Sequence, residues 1–261
     1  MRGWRWSERR RSGWLRWVVA AAAVGALTAV ACGGDAKPVV STSTPAPTST
    51  ATATVVATSA APACVPGVGE PDLRVVDKQR GLASSYAPGD LVRLDDAWAA
   101  PGFAGQRLRP QTATALVALL RDAEAQGMKL RVRSTFRSYD EQVTTFQYWV
   151  SRLGEAQAKR ESAPAGHSEH QLGTTADLAV ASINWELIEE FGGTPEGKWL
   201  AANAYKYGFA LSYPQGGEAE TGYIWEPWHI RYVGKPCAEA WKSSNLILVR
   251  FLERVQGTRA P

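Results

Sequence analysis

Histidine and cysteine are scarce here, three of each in 261 residues, and methionine is scarcer still at two. So little cysteine excludes a disulfide-dense scaffold or an all-cysteine metal module. No apolar run reaches the roughly 20 residues that a membrane-spanning helix needs. No internal repeat is visible. A basic surface is also missing, although the formal charge is +4. The first 31 residues hold six arginines and one glutamate, and the remainder sets 23 basic against 24 acidic residues, a net charge of −1. Nothing in that balance suggests nucleic acid as a partner.

What is present at the start reads as a bacterial export signal, residues 1–31. Arg2, Arg5, Arg9, Arg10, Arg11 and Arg16 form a positive segment, and Trp17 to Ala31 is an uncharged, largely apolar run of 15 residues ending in small side chains. Ala29-Val30-Ala31-Cys32-Gly33 resembles a lipobox, with Ala29 where leucine is usual. That implies a lipid on Cys32 and a protein tethered to the outer face of the cytoplasmic membrane; an ordinary signal peptide or an uncleaved anchor is the alternative. Residues 32–63 are dominated by Ser, Thr, Ala and Pro, bury no core, and are expected to form a disordered tether. A single domain is expected over residues 64–261. Cys64 and Cys237, near its two ends, are expected to pair in an oxidising exterior, the alternative being two free thiols.

Within that domain the apolar spacing predicts strands at Leu73–Val76, Leu130–Ser134, Thr174–Val180, Phe209–Tyr213 and Tyr223–Tyr232. It predicts helices at Pro110–Gln126, Tyr139 to about Lys159, Trp199–Tyr207 and Ala238–Val255. Their irregular alternation, without βαβ spacing, indicates an α+β fold with a small, mainly antiparallel sheet flanked by helices.

The chemistry gathers around the histidines. His170 stands seven residues before Asp177, with Gly173 between them to let the chain turn, and Glu226 stands three residues before His229. Two imidazoles and one carboxylate make a three-ligand zinc site with a fourth position open, and a neighbouring carboxylate can accept a proton from water. The bare spacing is weak evidence, since a solitary histidine is more often a surface or core residue than a ligand.

The combination is specific. Ser168, His170, Gly173 and Asp177 match the pattern S-x-H-x-x-G-x-A-x-D, with Thr175 in place of the usual alanine. Glu226-Pro227-Trp228-His229 and Arg231-Tyr232-Val233-Gly234 form a second motif, and Phe136-Arg137-Ser138-Tyr139 with Gln142 a third. Lys198-Trp199-Leu200, Tyr207-Gly208-Phe209 and Ser212-Tyr213-Pro214 add to it. From about Leu73 to Gly234 the sequence resembles the VanY-type D-alanyl-D-alanine carboxypeptidases of the M15 zinc peptidases, whose fold is shared with hedgehog domains.

The resemblance implies that His170, Asp177 and His229 hold Zn2+ and that Glu226 is the general base. It implies that Arg137 binds the substrate at the reacting end, with Gln142 and Ser168 as further partners for its carboxylate. The implied substrate is the terminal D-Ala-D-Ala bond of peptidoglycan stem peptides. An LD-carboxypeptidase acting on tetrapeptides is the alternative within the same chemistry, and a non-catalytic wall-binding module the alternative outside it. His167 is expected to be a loop residue at the cleft rim and Glu169 to face solvent or stand behind the ligands. Trp149 and Trp199 are expected in the core and Trp228 beneath the site.

Overall fold

The computed structural model describes residues 72–257 together with Cys64. The expected export segment, the tether and Cys32 lie outside the described residues. A short antiparallel pair, β1 (Val92–Arg93) and β2 (Arg107–Leu108), leads into helix α1 (Pro110–Ala125). Pro110 suits the first turn because that position has no intrahelical acceptor for an N–H. One face of α1 buries Leu116, Leu119, Leu120 and Ala123, and each leucine so buried contributes about 1.5–3 kcal/mol.

That face packs on a four-stranded sheet of β3 (Arg131–Ser134), β4 (Thr175–Ala179), β5 (Phe209–Leu211) and β6 (His229–Tyr232), in the order β3-β4-β6-β5. Every neighbouring pair in it is antiparallel. Alternate residues of a strand face opposite sides. Ala176, Leu178 and Ile230 therefore join the core under α1, while Asp177, His229 and Arg231 share the other face. The sheet separates apolar packing from chemistry.

The helices that follow β3 and β4 depart from the expected boundaries at identifiable residues. The helix expected from Tyr139 to Lys159 breaks at Gly154 (φ +77°) into α2 (Tyr139–Leu153) and α3 (Glu155–Glu161). Ser138 caps α2 with a capping box completed by Glu141. Trp149 is half-exposed rather than core, and none of Val143, Phe146, Trp149 or Val150 enters a hydrophobic cluster of the domain. Helix α4 (Pro195–Asn203) starts before Trp199 because the Thr194 hydroxyl accepts from the Gly197 N–H at 3.0 Å. Trp199 packs partly buried against the main core.

After the short α5 (Glu218–Thr221), the expected strand over 223–232 is shortened to β6, since the Glu226–His229 segment is a turn. The expected last helix is two, α6 (Lys235–Ser244) and α7 (Leu248–Val255), separated by Asn245 in the left-handed region. Leu73–Val76 forms no strand. The carbonyls of Asp72 and Arg74 are taken by the Arg231 guanidinium at 3.0 and 2.6 Å, so this backbone needs no partner strand.

Leu73 instead joins a second apolar cluster with Val233, Ala238, Leu248, Phe251 and Leu252. Cys237 lies in the same cluster and is disulfide-bonded to Cys64, 173 residues away in sequence. A loop of that length gives about 5 kcal/mol in the chain-entropy account of disulfides. Replacing both cysteines by alanine is expected to lower unfolding stability by about 2–5 kcal/mol in a urea titration, with the fold retained. Identical midpoints for the two proteins would show that the crosslink contributes nothing.

Candidate metal centre

Three segments converge on the polar face of the sheet. Ser168 caps a 3-10 turn over Glu169–Leu172, its hydroxyl accepting from the His170 N–H at 3.3 Å. Gly173 ends that turn at φ +70°, where a Cβ would lie 2.9 Å from Leu91. The reversal feeds β4 and places His170 beside Asp177. Asp177 is in turn the register partner of His229 on β6, so two adjacent antiparallel strands present these side chains directly opposite one another. Glu226 is brought in by the turn before β6, closed by the His229 N–H donating to the Glu226 carbonyl at 3.1 Å.

The donor atoms have fixed identities. His170 Nε2 lies 3.1 Å from Asp177 Oδ2, and His229 Nδ1 lies 3.1 Å from Asp177 Oδ1 and 3.5 Å from Glu226 Oε2. One donor from each of His170, Asp177 and His229 lies within 4.8 Å of the others, and all three residues are buried. The remaining ring nitrogens face acceptors: His170 Nδ1 the Thr135 carbonyl at 2.6 Å, and His229 Nε2 the Glu169 carboxylate at 3.0 Å. Donation to these acceptors would leave the nitrogen that faces Asp177 free to hold an ion in each ring. His170 Nε2 and His229 Nδ1 approach different oxygens of Asp177, and two imidazoles with one carboxylate gathered in this way are a zinc donor set. The donor set fits that ion.

Glu169 is buried, not solvent-facing. Its Oε1 accepts from Arg231 Nη1 at 2.7 Å, and its Oε2 accepts from the Ser212 hydroxyl at 2.6 Å and faces His229. Burial opposes its ionisation, yet Arg231 and the His229 and Ser212 hydrogen bonds bring its pKa down to about 2. Burial likewise disfavours an imidazolium at His229, but hydrogen bonds to Asp177 and Glu169 raise its pKa to about 10 in the metal-free protein. Burial is also overcome at Asp177, where His170 and His229 hold the carboxylate well below its ordinary range. Glu226 goes the other way: burial pushes it up to about 8, with His229 and Arg137 opposing.

Arg137 sits beside this cluster with its guanidinium fixed by neutral groups, Gln142 Oε1 at 2.7 Å and Ser134 Oγ at 3.2 Å. Gln142 is buried and its amide nitrogen donates to the Ala163 carbonyl at 2.6 Å. Its amide is thus engaged at both ends, and its oxygen holds Arg137. Ser168 is likewise buried as a turn cap. His167 is outside the metal cluster, its Nδ1 2.7 Å from the Asp77 carbonyl and its ring against Gly81. Trp228 is buried in the main core behind β4.

The profile of the VanY D-alanyl-D-alanine carboxypeptidases matches residues 105–235, half of the chain. The chain belongs to this family. YodJ of Bacillus subtilis (strain 168) is 41% identical, over 70% of this chain and 68% of its own length. The solved LD-carboxypeptidase LdcB shares 41% identity at a TM-score of 0.62, covering 68% of this chain and 84% of that one. A mutant of the vancomycin-resistance D,D-pentapeptidase VanY, solved with Zn(II), shares 28% identity at a TM-score of 0.59, covering 70% of this chain and 99% of that one.

In this VanY-family member the residues that sequence reasoning left without a role are Arg231, Ser212, Thr135 and Tyr213. A signal existed for Arg231: it stands two residues after His229, so a strand puts both on one face. Tyr213, whose ring lies 4.7 Å from that of His229, had only its place in a motif. Glu169→Gln is expected to weaken zinc binding about 10- to 100-fold, read by chelator competition. It also leaves Arg231 buried without its counter-charge, a loss of about 3–5 kcal/mol in denaturant unfolding. Unchanged zinc affinity in a folded variant would show that Glu169 does not orient His229.

Proposed function

We propose that this protein is an exported zinc carboxypeptidase that removes the terminal D-alanine of peptidoglycan stem peptides. The observation that carries this is the placement of Arg137: a guanidinium hydrogen-bonded by the neutral groups of Gln142 and Ser134, within the field of Asp177 and Glu226, beside a three-donor metal cluster. A planar fork so fixed suits a substrate's free carboxylate. His170, Asp177 and His229 would hold the zinc, which supplies a Lewis acid for the scissile carbonyl and lowers the pKa of water to about 7. Glu226 accepts the proton of the attacking water and returns it to the leaving amine. Arg137 holds the terminal carboxylate and so sets which peptide bond is presented. Gln142 and Ser134 keep that guanidinium in place.

The D-Ala-D-Ala bond is the first reading, in keeping with the family to which the chain belongs. An LD bond in the tetrapeptide is the second, favoured by the 41% identity to the LD-carboxypeptidase LdcB. Incubating the zinc-loaded protein with pentapeptide and tetrapeptide muropeptides, and weighing the products, separates them. Loss of one alanine from the pentapeptide alone is expected; loss from the tetrapeptide alone would replace the first reading with the second. Glu226→Ala is expected to lower kcat by at least about 100-fold while zinc remains bound. Undiminished turnover in that variant would remove Glu226 as the base.

Export and membrane attachment belong to the same proposal and rest on the arginine-rich start, the 15-residue apolar run and the lipobox-like Ala29–Gly33 segment. Cys32→Ser is expected to abolish labelling by a radioactive fatty acid in cells. A labelled Cys32→Ser protein would rule out a lipid at that position.

A further inference from the structure

Lys78 is a cation that the mechanism above does not use. Its stem lies over Gly222, where a Cβ would come within 2.9 Å of Lys78 Cγ and Cε. Its ammonium sits 3.3 Å from the centre of the Tyr223 ring and donates to the Lys159 carbonyl in the last turn of α3. Tyr223 packs on Tyr213 at 4.6 Å, and Tyr213 packs on His229 at 4.7 Å. These three contacts keep the ammonium within about 13 Å of the His229 ring, the reach of three to four residues of extended chain at about 3.3 Å each.

The groups that fix the ammonium are a carbonyl and an aromatic ring, both uncharged. Among the described residues no carboxylate forms an ion pair with it; Glu226 and Glu218 act on it only through the field. Burial pushes its pKa down to about 8, the Glu226 charge opposing. A half-buried ammonium left without a counter-ion is favourably completed by an anion from outside. Gly222, at φ +75°, leaves room for the lysine stem to lie flat on the Tyr223 loop and so aims its end.

We propose that Lys78 is a specificity-determining residue that pairs with a carboxylate carried by the substrate two or three residues to the amino side of the scissile bond. This rests on the carboxypeptidase reading. In a stem peptide the α-carboxylate of a γ-linked D-glutamate stands at that distance, and its amide, D-isoglutamine, is the same shape without the charge.

The test uses the full-length, zinc-loaded protein and acetyl-L-Ala-γ-D-Glu-L-Lys-D-Ala-D-Ala, with the D-isoglutamine form of the same peptide. The two corresponding tetrapeptides are run alongside so that cleavage of either bond is read. The acid form is expected to exceed the amide by about tenfold in kcat/KM, mainly through KM, as a charge-assisted hydrogen bond would give. Lys78→Met should bring that ratio close to one, and Lys78→Arg should restore part of it. If Lys78 serves only to hold α3, Lys78→Met lowers both substrates alike and leaves the ratio unchanged, which overturns the proposal. No acid preference in the wild type overturns it as well. Wild-type turnover of none of the four peptides instead overturns the carboxypeptidase reading itself.

Discussion

The buried carboxylate of Glu169 is the contact on which the rest of the centre depends. It faces the His229 ring at Nε2, takes the Arg231 guanidinium and takes the Ser212 hydroxyl. Arg231 reaches onward to the Asp72 and Arg74 carbonyls, so the same network also pins the segment that opens the domain. A carboxylate removed from water is costly unless its oxygens are filled, and here both are. The orientation of one metal-facing imidazole is therefore tied to the folding of the strand that carries it and of the chain that crosses over it.

Two buried carboxylates a short distance apart are driven in opposite directions by their partners. Glu169 meets a guanidinium and stays ionised, down at about 2. Among the described residues no cation is hydrogen-bonded to Glu226, and its 3.5 Å neighbour His229 is shared with Asp177 and Glu169; burial dominates and lifts it to about 8. Separation of this kind is what the proposed division between a fixed carboxylate and a proton acceptor requires. Both stand on turns that lead onto the polar face of the sheet, and neither disturbs the apolar face below it.

The elements were legible where they rest on short-range periodicity, as in α1 and β3, whereas the donors were legible through the motifs around His170–Asp177 and Glu226–His229 that carry the family resemblance, the bare spacing being weak evidence. What stayed hidden depended on contacts distant in sequence. Leu73–Val76 has the composition of a strand, yet a side chain 157 residues away from Arg74 replaces its partner strand. Glu169 could equally have faced water, since only the placement of Arg231 and Ser212 makes its burial affordable. The helix breaks at Gly154 and Asn245 were readable locally but were overridden by the apolar pattern on either side. Trp149 shows the converse: apolar spacing marks a face, and packing decides how much of it is buried.

The disulfide between Cys64 and Cys237 has a mechanical consequence. Tension arriving along the chain from its amino-terminal side reaches Cys64 before it reaches Asp72, and the covalent link passes it into α6. The carbonyls of Asp72 and Arg74, which hold Arg231 only by hydrogen bonds, are thus shielded from a pull that would peel them away one at a time. The load path bypasses the centre, and the geometry around His229 is insulated from force applied to the chain ahead of Cys64.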